Sequence, residues 1–266
     1  MAADAASTLP VIDELIAPVS WQTIDFISDL HLAEDTPLAT DAWAAYLRHT
    51  GADAIFILGD LFEAWVGDDA RHDGFEARCA EELRAAAAGR CVAFMAGNRD
   101  FLVGDALLRA CGVRALADPT VLSAFGQRVL LSHGDALCLA DTAYQRFRGQ
   151  VREPAWQAQV LSRPLAERRA AARRMRGESA RHKASQAADT WFDIDRPTAL
   201  RWMTEAATPT LIHGHTHHPG SELLAPGFTR EVLSDWELDA GPKPRAEVLR
   251  WRAGTGLVRL APAAAG

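Results

Sequence analysis

The chain has 266 residues, 48% apolar and 24% charged, a make-up that suits a folded globular protein and excludes a fibre or an extended disordered chain. Its net charge of −7 excludes a general nucleic-acid binder, and no run approaches the roughly 20 apolar residues a membrane-spanning helix needs. The length fits one large domain with an insertion better than two independent domains.

Residues 1–19 carry acidic but no basic side chains and no apolar run of secretory length. They read as a poorly ordered lead-in to a domain over 20–262. Short apolar runs then follow at Thr23–Ser28, Ala54–Leu58, Cys91–Ala96, Val129–Ser132 and Thr210–Ile212. Each reads as a buried central strand. Helical segments separate the first three and follow the third: Asp41–His49, Gly74–Ala88 and Asp105–Cys111. Gly51, Gly89 and Gly112 stand where a left-handed C-terminal cap would end each one.

Strand and helix alternating in this way predict a layered α/β domain. Residues 141–208 have no strand-like run and are rich in Ala, Arg, Glu and Gln, so they read as a helical insertion. Between Tyr144 and Lys183 there are 11 Lys and Arg against 3 Glu, a basic stretch in an acidic chain suited to an anionic partner. Tyr144, Phe147 and Val151 share one helical face within it. Phe228–Trp236, Ala246–Trp251 and Gly256–Leu260 read as antiparallel strands, giving two facing sheets with helices outside. Cys79, Cys91, Cys111 and Cys138 form no C-x-x-C pair and read as reduced packing residues of a cytoplasmic protein.

The chemistry gathers at the strand ends: Asp29-Leu30-His31, Gly59-Asp60, Gly97-Asn98-Arg99-Asp100, Ser132-His133-Gly134-Asp135 and His213-Gly214-His215-Thr216-His217. Loops at the carboxyl ends of neighbouring strands converge. Asp60 has two oxygens with which to bridge a pair of ions, Asn98 adds an amide oxygen, and the histidines add imidazoles. This mixed nitrogen and oxygen set suits Mn, Fe, Zn or Co. Two ions about 3.5–4 Å apart activate a water and clamp phosphoryl oxygens, which is phosphoester hydrolysis.

The ordered set resembles the calcineurin-like metallophosphoesterases, with their pattern D-x-H, G-D, G-N-H-D, H and G-H-x-H, over roughly residues 24–216. The resemblance implies a four-layer double β-sheet sandwich of α/β class and a dinuclear site. By it, Asp29, His31, Asp60 and His215 would hold one ion, and Asp60, Asn98, His133 and His213 the other, with Mn2+ the metal. His217 is read as a bystander close to the site.

Arg99 stands where the wider family has His, so the usual proton donor to the leaving group is missing. A phosphate monoester leaving group, with a second pKa of about 6, needs charge neutralisation more than a proton. The substrate is therefore expected to be a pyrophosphate. Gly97–Phe101, Gly59–Trp65, the run from His133 to Phe147, and Arg230–Trp236 are similar to the UDP-2,3-diacylglucosamine pyrophosphohydrolase family of lipid A synthesis. That family implies that the insertion at 141–208 is a helical lid over an acyl slot, and it implies release of UMP and a diacylglucosamine 1-phosphate through attack by a metal-bridging hydroxide. Its substrate contacts would fall on Asn98, Arg99, Asp141, Ser179, Lys183, Gln186 and His213, although Lys183 and Gln186 depart from its residue types. Asp60, Asn98, Arg99 and His213 would carry catalysis, in a monomer peripheral to the cytoplasmic face of the inner membrane. The rival readings are a phosphoesterase of the same fold acting on a soluble nucleotide, and a scaffold of that fold without activity.

Overall fold

The computed structural model describes residues 10–185, 192–240 and 243–266, leaving out the side chains of 178–185. Twelve strands are described: β1 (Asp13–Ile16), β2 (Thr23–Ile27), β3 (Ala54–Leu58), β4 (Cys91–Met95), β5 (Arg114–Leu116), β6 (Thr120–Ala124), β7 (Gln127–Ser132), β8 (Thr210–His213), β9 (Gly220–Ala225), β10 (Phe228–Val232), β11 (Val248–Arg252) and β12 (Gly256–Leu260). Seven α-helices accompany them: α1 (Pro37–His49), α2 (Gly74–Ala87), α3 (Asp105–Cys111), α4 (Thr142–Val151), α5 (Pro154–Leu161), α6 (Leu165–Ser185) and α7 (Arg196–Glu205).

The strands form two six-stranded sheets, ordered β12-β11-β2-β3-β4-β5 and β1-β6-β7-β8-β10-β9. The two-residue side-chain period of a strand explains how three apolar layers arise from them. From β2 and β3, Ile24, Phe26, Phe56 and Leu58 point between the sheets and meet Leu122, Leu131 and Ile212 of the other sheet. Their neighbours Ile27, Ile55 and Ile57 point outward against Trp43 and Leu47 of α1 and Leu83 of α2. On the far side, Val121, Leu130 and Leu211 pack against Ala199, Trp202 and Met203 of α7. The result is a four-layer sandwich of helices, sheet, sheet and helix. Burial on both faces is why β3 is apolar throughout rather than alternating.

Several local expectations are corrected. Residues 13–16, expected in the loose lead-in, form β1, parallel to β6, with Leu15 buried between the sheets opposite Leu122. A four-residue edge strand with one buried side chain leaves too short a pattern to recognise. β10 is antiparallel to β9 but parallel to β8, so the C-terminal strands are not all antiparallel. α1 starts at Pro37, whose fixed φ suits a first turn. Of the three expected glycine caps only Gly112 is left-handed, with φ of 69°. α1 ends instead by extending at Thr50, whose hydroxyl bonds the Asp25 carboxylate at 2.8 Å. α2 tightens at its end through Gly89 N–H to the Ala86 carbonyl, 3.3 Å. α7, inside the interval expected as lid, belongs to the outer layer, which leaves α4, α5 and α6 beside the strand ends.

α6 is fastened to the body by Arg168, 6% exposed, which bonds the Val66 carbonyl and the Asp69 carboxylate. Among the described residues no helix is long and apolar enough to cross a membrane. The four cysteines are free thiols.

Candidate metal centre

Every motif loop leaves the carboxyl end of a strand: β2 delivers Asp29 and His31, β3 Asp60, β4 Asn98 and Arg99, β7 His133, and β8 His215 and His217. The loops are hydrogen-bonded edge to edge. Asp29 N–H donates to the Gly59 carbonyl at 3.1 Å, His31 N–H to the Asp60 carbonyl at 3.0 Å, and Gly214 N–H to the His133 carbonyl at 3.0 Å. Asp29, His31, Asp60, His215 and His217 all have φ between 51° and 65°. They are five of the seven non-glycine residues with positive φ among those described. Such backbone costs free energy, and its concentration here marks a functional site.

Two glycines have a steric reason. A Cβ on Gly97 would collide with the Asp60 carboxylate and backbone, and one on Gly214 with Asp29 and Ser28. Asp100, wholly buried, braces the turn by accepting from Gly97 N–H at 2.7 Å and Leu61 N–H at 2.8 Å. Burial, and the Asp60 charge beside it, push its carboxyl up to about 7.

Asp29, His31 and His217 place ligand-type atoms within 4.8 Å of one another, and so do Asp29, Asp60 and His133. Asn98 Oδ1 lies 2.9 Å from both His133 Nε2 and His215 Nδ1. The two groups of donors thus overlap at Asp29, and Asp60 Oδ2 lies 3.9 Å from His31 Nε2 while its Oδ1 lies 3.7 Å from His133 Nε2. Burial would lower His133, but Asp60, Asp135 and Asp29 outweigh it and push the imidazole up to about 9. His31 is raised in the same way against burial, by Glu63, Asp60 and Asp29. Asp29 Oδ1 is buried and faced by His217 Nε2 at 3.4 Å, so a cation could sit between carboxylate and imidazole. Burial, with His133 next to it, holds His215 down at about 4, the neutral form that can ligate. The donor set therefore fits divalent metal ions.

His213, expected as a ligand and catalytic group, is in neither of the two groups above, and its Nε2 is buried with no hydrogen-bond partner among the described residues. Its Nδ1 lies 2.9 Å from the Gly214 carbonyl, and its charged neighbours are Arg230 and Asp193. As the last residue of β8 it is paired opposite Ser132 and Val232, so its side chain follows the strand's pleat. His217, expected as a bystander close to the site, stands among the candidate donors: its Nε2 lies 3.4 Å from both Asp29 Oδ1 and His31 Nε2. Reading G-H-x-H literally onto Gly214-His215-Thr216-His217 would have found it.

A cavity of about 550 Å3 joins the cluster to the insertion. His31, Asp60, Asn98 and Arg99 line it together with Phe147, Trp156, Val160 and Met175. Tyr144 lines it too, whereas Val151, expected on the same stripe, is buried in packing. Asp141 lines the cavity while its Oδ1 caps α4 through Tyr144 N–H, 2.9 Å. Ser179 and Lys183 fall on α6 where side chains lie outside the described part, and Gln186 lies outside the described residues. Sequence reasoning assigned no role to Glu63, yet it sits 3.0 Å from His31 Nδ1 and 3.8 Å from Arg99 Nη1. Its place in the block Gly59–Trp65 was the available signal.

The family model described as calcineurin-like phosphoesterase matches residues 22–219. The chain is 45% identical to a UDP-2,3-diacylglucosamine hydrolase of Xanthomonas axonopodis pv. citri, over 79% of this chain and 90% of that protein. It is 46% identical to the protein of that name from Chromobacterium violaceum, over 80% and 90%. A third, from Xanthomonas campestris pv. campestris, is 47% identical over 79% and 90%.

Proposed function

Because the chain belongs to the calcineurin-like phosphoesterases, we propose that it hydrolyses the pyrophosphate bond of UDP-2,3-diacylglucosamine to UMP and 2,3-diacylglucosamine 1-phosphate, a step of lipid A synthesis. The observation that carries this reading is the single cavity in which Asp60, Asn98 and Arg99 meet the apolar side chains Phe147, Trp156, Val160 and Met175. A polar end suits a pyrophosphate and an apolar end suits acyl chains. The relatives named for this hydrolysis support it.

In this reading Asp29, His31, Asp60 and His217 would hold one Mn2+, and Asp60, Asn98, His133 and His215 would hold a second. Bound ions supply an activated water and positive charge for the phosphoryl oxygens. Asp60, shared by both groups, is kept in place by Arg99 N–H at 2.8 Å. The Arg99 guanidinium can hold two phosphate oxygens with its fork and neutralise the departing phosphate, which needs no proton. Glu63, between His31 and Arg99, orients both. Asp141 is the sugar-side contact at the start of α4, and Ser179, Lys183 and Gln186 complete the substrate contacts from the insertion.

The protein works as a monomer at the cytoplasmic face of the inner membrane. Support comes from the basic insertion and from Leu161, Met175 and Phe192, which are 38–47% exposed on or beside it. The test is turnover of the lipid substrate with Mn2+ in 18O-labelled water. Label in UMP is expected for attack at the uridine-side phosphorus, and label in the lipid phosphate contradicts that step.

A further inference from the structure

α4 presents a second stripe to the metal centre besides the one lining the cavity. Tyr144, which also edges the cavity, and Arg148 on α4, with Arg152 at its C-cap, recur every four residues and so follow one side of the helix. The Tyr144 hydroxyl donates to Asp135 Oδ2 at 2.5 Å, and its ring stacks on His215 with centroids 5.8 Å apart. Arg148 Nε donates to the same Asp135 oxygen at 2.9 Å, and its Nη2 is 3.8 Å from Asp118 Oδ2. Asp118 accepts from the Ser132 hydroxyl at 2.7 Å, and Ser132 Oγ accepts from Gly134 N–H at 3.0 Å. Arg148 thus grips both sides of the loop that carries His133.

Arg152 reaches a different loop. Its Nη2 donates to the carbonyls of Ala96 and Gly97, 3.1 Å each, directly before Asn98 and Arg99. Asp100 and Gly97 fix that loop from within; Arg152 fixes it from the insertion side. Neither Arg148 nor Arg152 lines the cavity, so neither is placed to touch substrate.

Resting on the metal-centre reading above, we propose that Arg148 and Arg152 are positioning residues of the metal centre, Arg148 setting the His133–Asp135 loop and Arg152 the loop that presents Asn98 and Arg99. The insertion is then part of the metal centre's support as well as a cover for substrate. Groups that orient metal ligands from behind change metal affinity about 10–100-fold when lost.

The experiment is calorimetric titration of Mn2+ into metal-stripped protein, with kcat and KM beside it. Arg148→Ala and Arg152→Ala are expected to weaken Mn2+ binding about tenfold or more while the far-ultraviolet spectrum stays native. Arg146→Ala removes the same charge from an exposed face of α4, where among the described residues Arg146 bonds the Thr142 carbonyl of its own helix, and is expected to bind as the wild type does. Should an alanine variant not fold, Arg148→Gln and Arg152→Gln, which keep a donor and most of the volume, take its place with the same expectation. Folded variants that bind Mn2+ within twofold of wild type overturn the proposal. A wild type that binds no Mn2+ overturns the metal-centre reading instead, so the two failures are distinct.

Discussion

His217 Nδ1 lies 3.4 Å from Asp235 Oδ2, on the side of the ring away from Asp29. Asp235 is itself held by Arg245 through two bonds of 2.6 Å. A carboxylate behind an imidazole fixes its orientation and strengthens it as a ligand. His217→Ala is therefore expected to lower Mn2+ affinity and kcat/KM by more than about 100-fold, the upper range for losing such support alone. His213→Ala should cost far less in metal affinity, because its Nδ1 meets the Gly214 carbonyl and its charged neighbours are Arg230 and Asp193. Calorimetry on the two stripped variants checks the contrast, and the reverse order would restore the original reading of β8.

The pair Asp25 and Arg250, 0% and 2% exposed, ties β2 to β11 through bonds of 2.7 and 2.8 Å. Arg250 also donates to the Thr50 hydroxyl and the Ala265 carbonyl, and Tyr46 donates to Asp25. Removing one partner strands a buried charge. Arg250→Ala is expected to destabilise the fold by about 3–5 kcal/mol, read from urea unfolding at neutral pH.

Burial pushes the thiols of Cys79 and Cys138 up to about 12, against an ordinary value near 9. The folded state thus keeps protons that the unfolded chain releases. The stability this contributes is full below about pH 9 and is lost as pH rises toward 12. Between about pH 9 and 11 the fall in unfolding free energy should be shallower in Cys79→Ala than in wild type, by up to about 1.4 kcal/mol per pH unit. Both thiols should also resist a thiol reagent at pH 8 until urea exposes them.

Phe147 lines the shared cavity from α4. Burying a phenylalanine side chain is worth about 1.5–3 kcal/mol, so Phe147→Ala is expected to raise KM for the diacylated substrate about tenfold or more. Hydrolysis of a small unacylated phosphodiester should change little. Steady-state kinetics on the two substrates checks this, and equal losses on both would remove Phe147 from the acyl pocket.

The metal loops were legible in the sequence because each chemical residue follows an apolar run whose end is a strand end. Ile27, Leu58 and Met95 are all buried at those ends. Legibility stopped where function depends on which way a side chain points. His213 and His217 stand four residues apart in one His-rich run, and only the strand's pleat and the left-handed turns at His215 and His217 separate them. Glu63 and Arg152 touch neighbours 32 and 55 residues away in sequence, His31 and Gly97, and Asp135 meets Tyr144 and Arg148 9 and 13 residues on, across an element boundary. No local pattern records such contacts. β1 escaped notice because Leu15 alone marks its buried face.

The most direct test is hydrolysis of UDP-2,3-diacylglucosamine beside UDP-glucose and diadenosine tetraphosphate, with Mn2+ and after chelation. The expected result is UMP release from the lipid substrate alone, abolished by chelation and restored by Mn2+. Turnover of the soluble compounds with none of the lipid would contradict the assignment of the cavity, and turnover unaffected by chelation would contradict the metal centre.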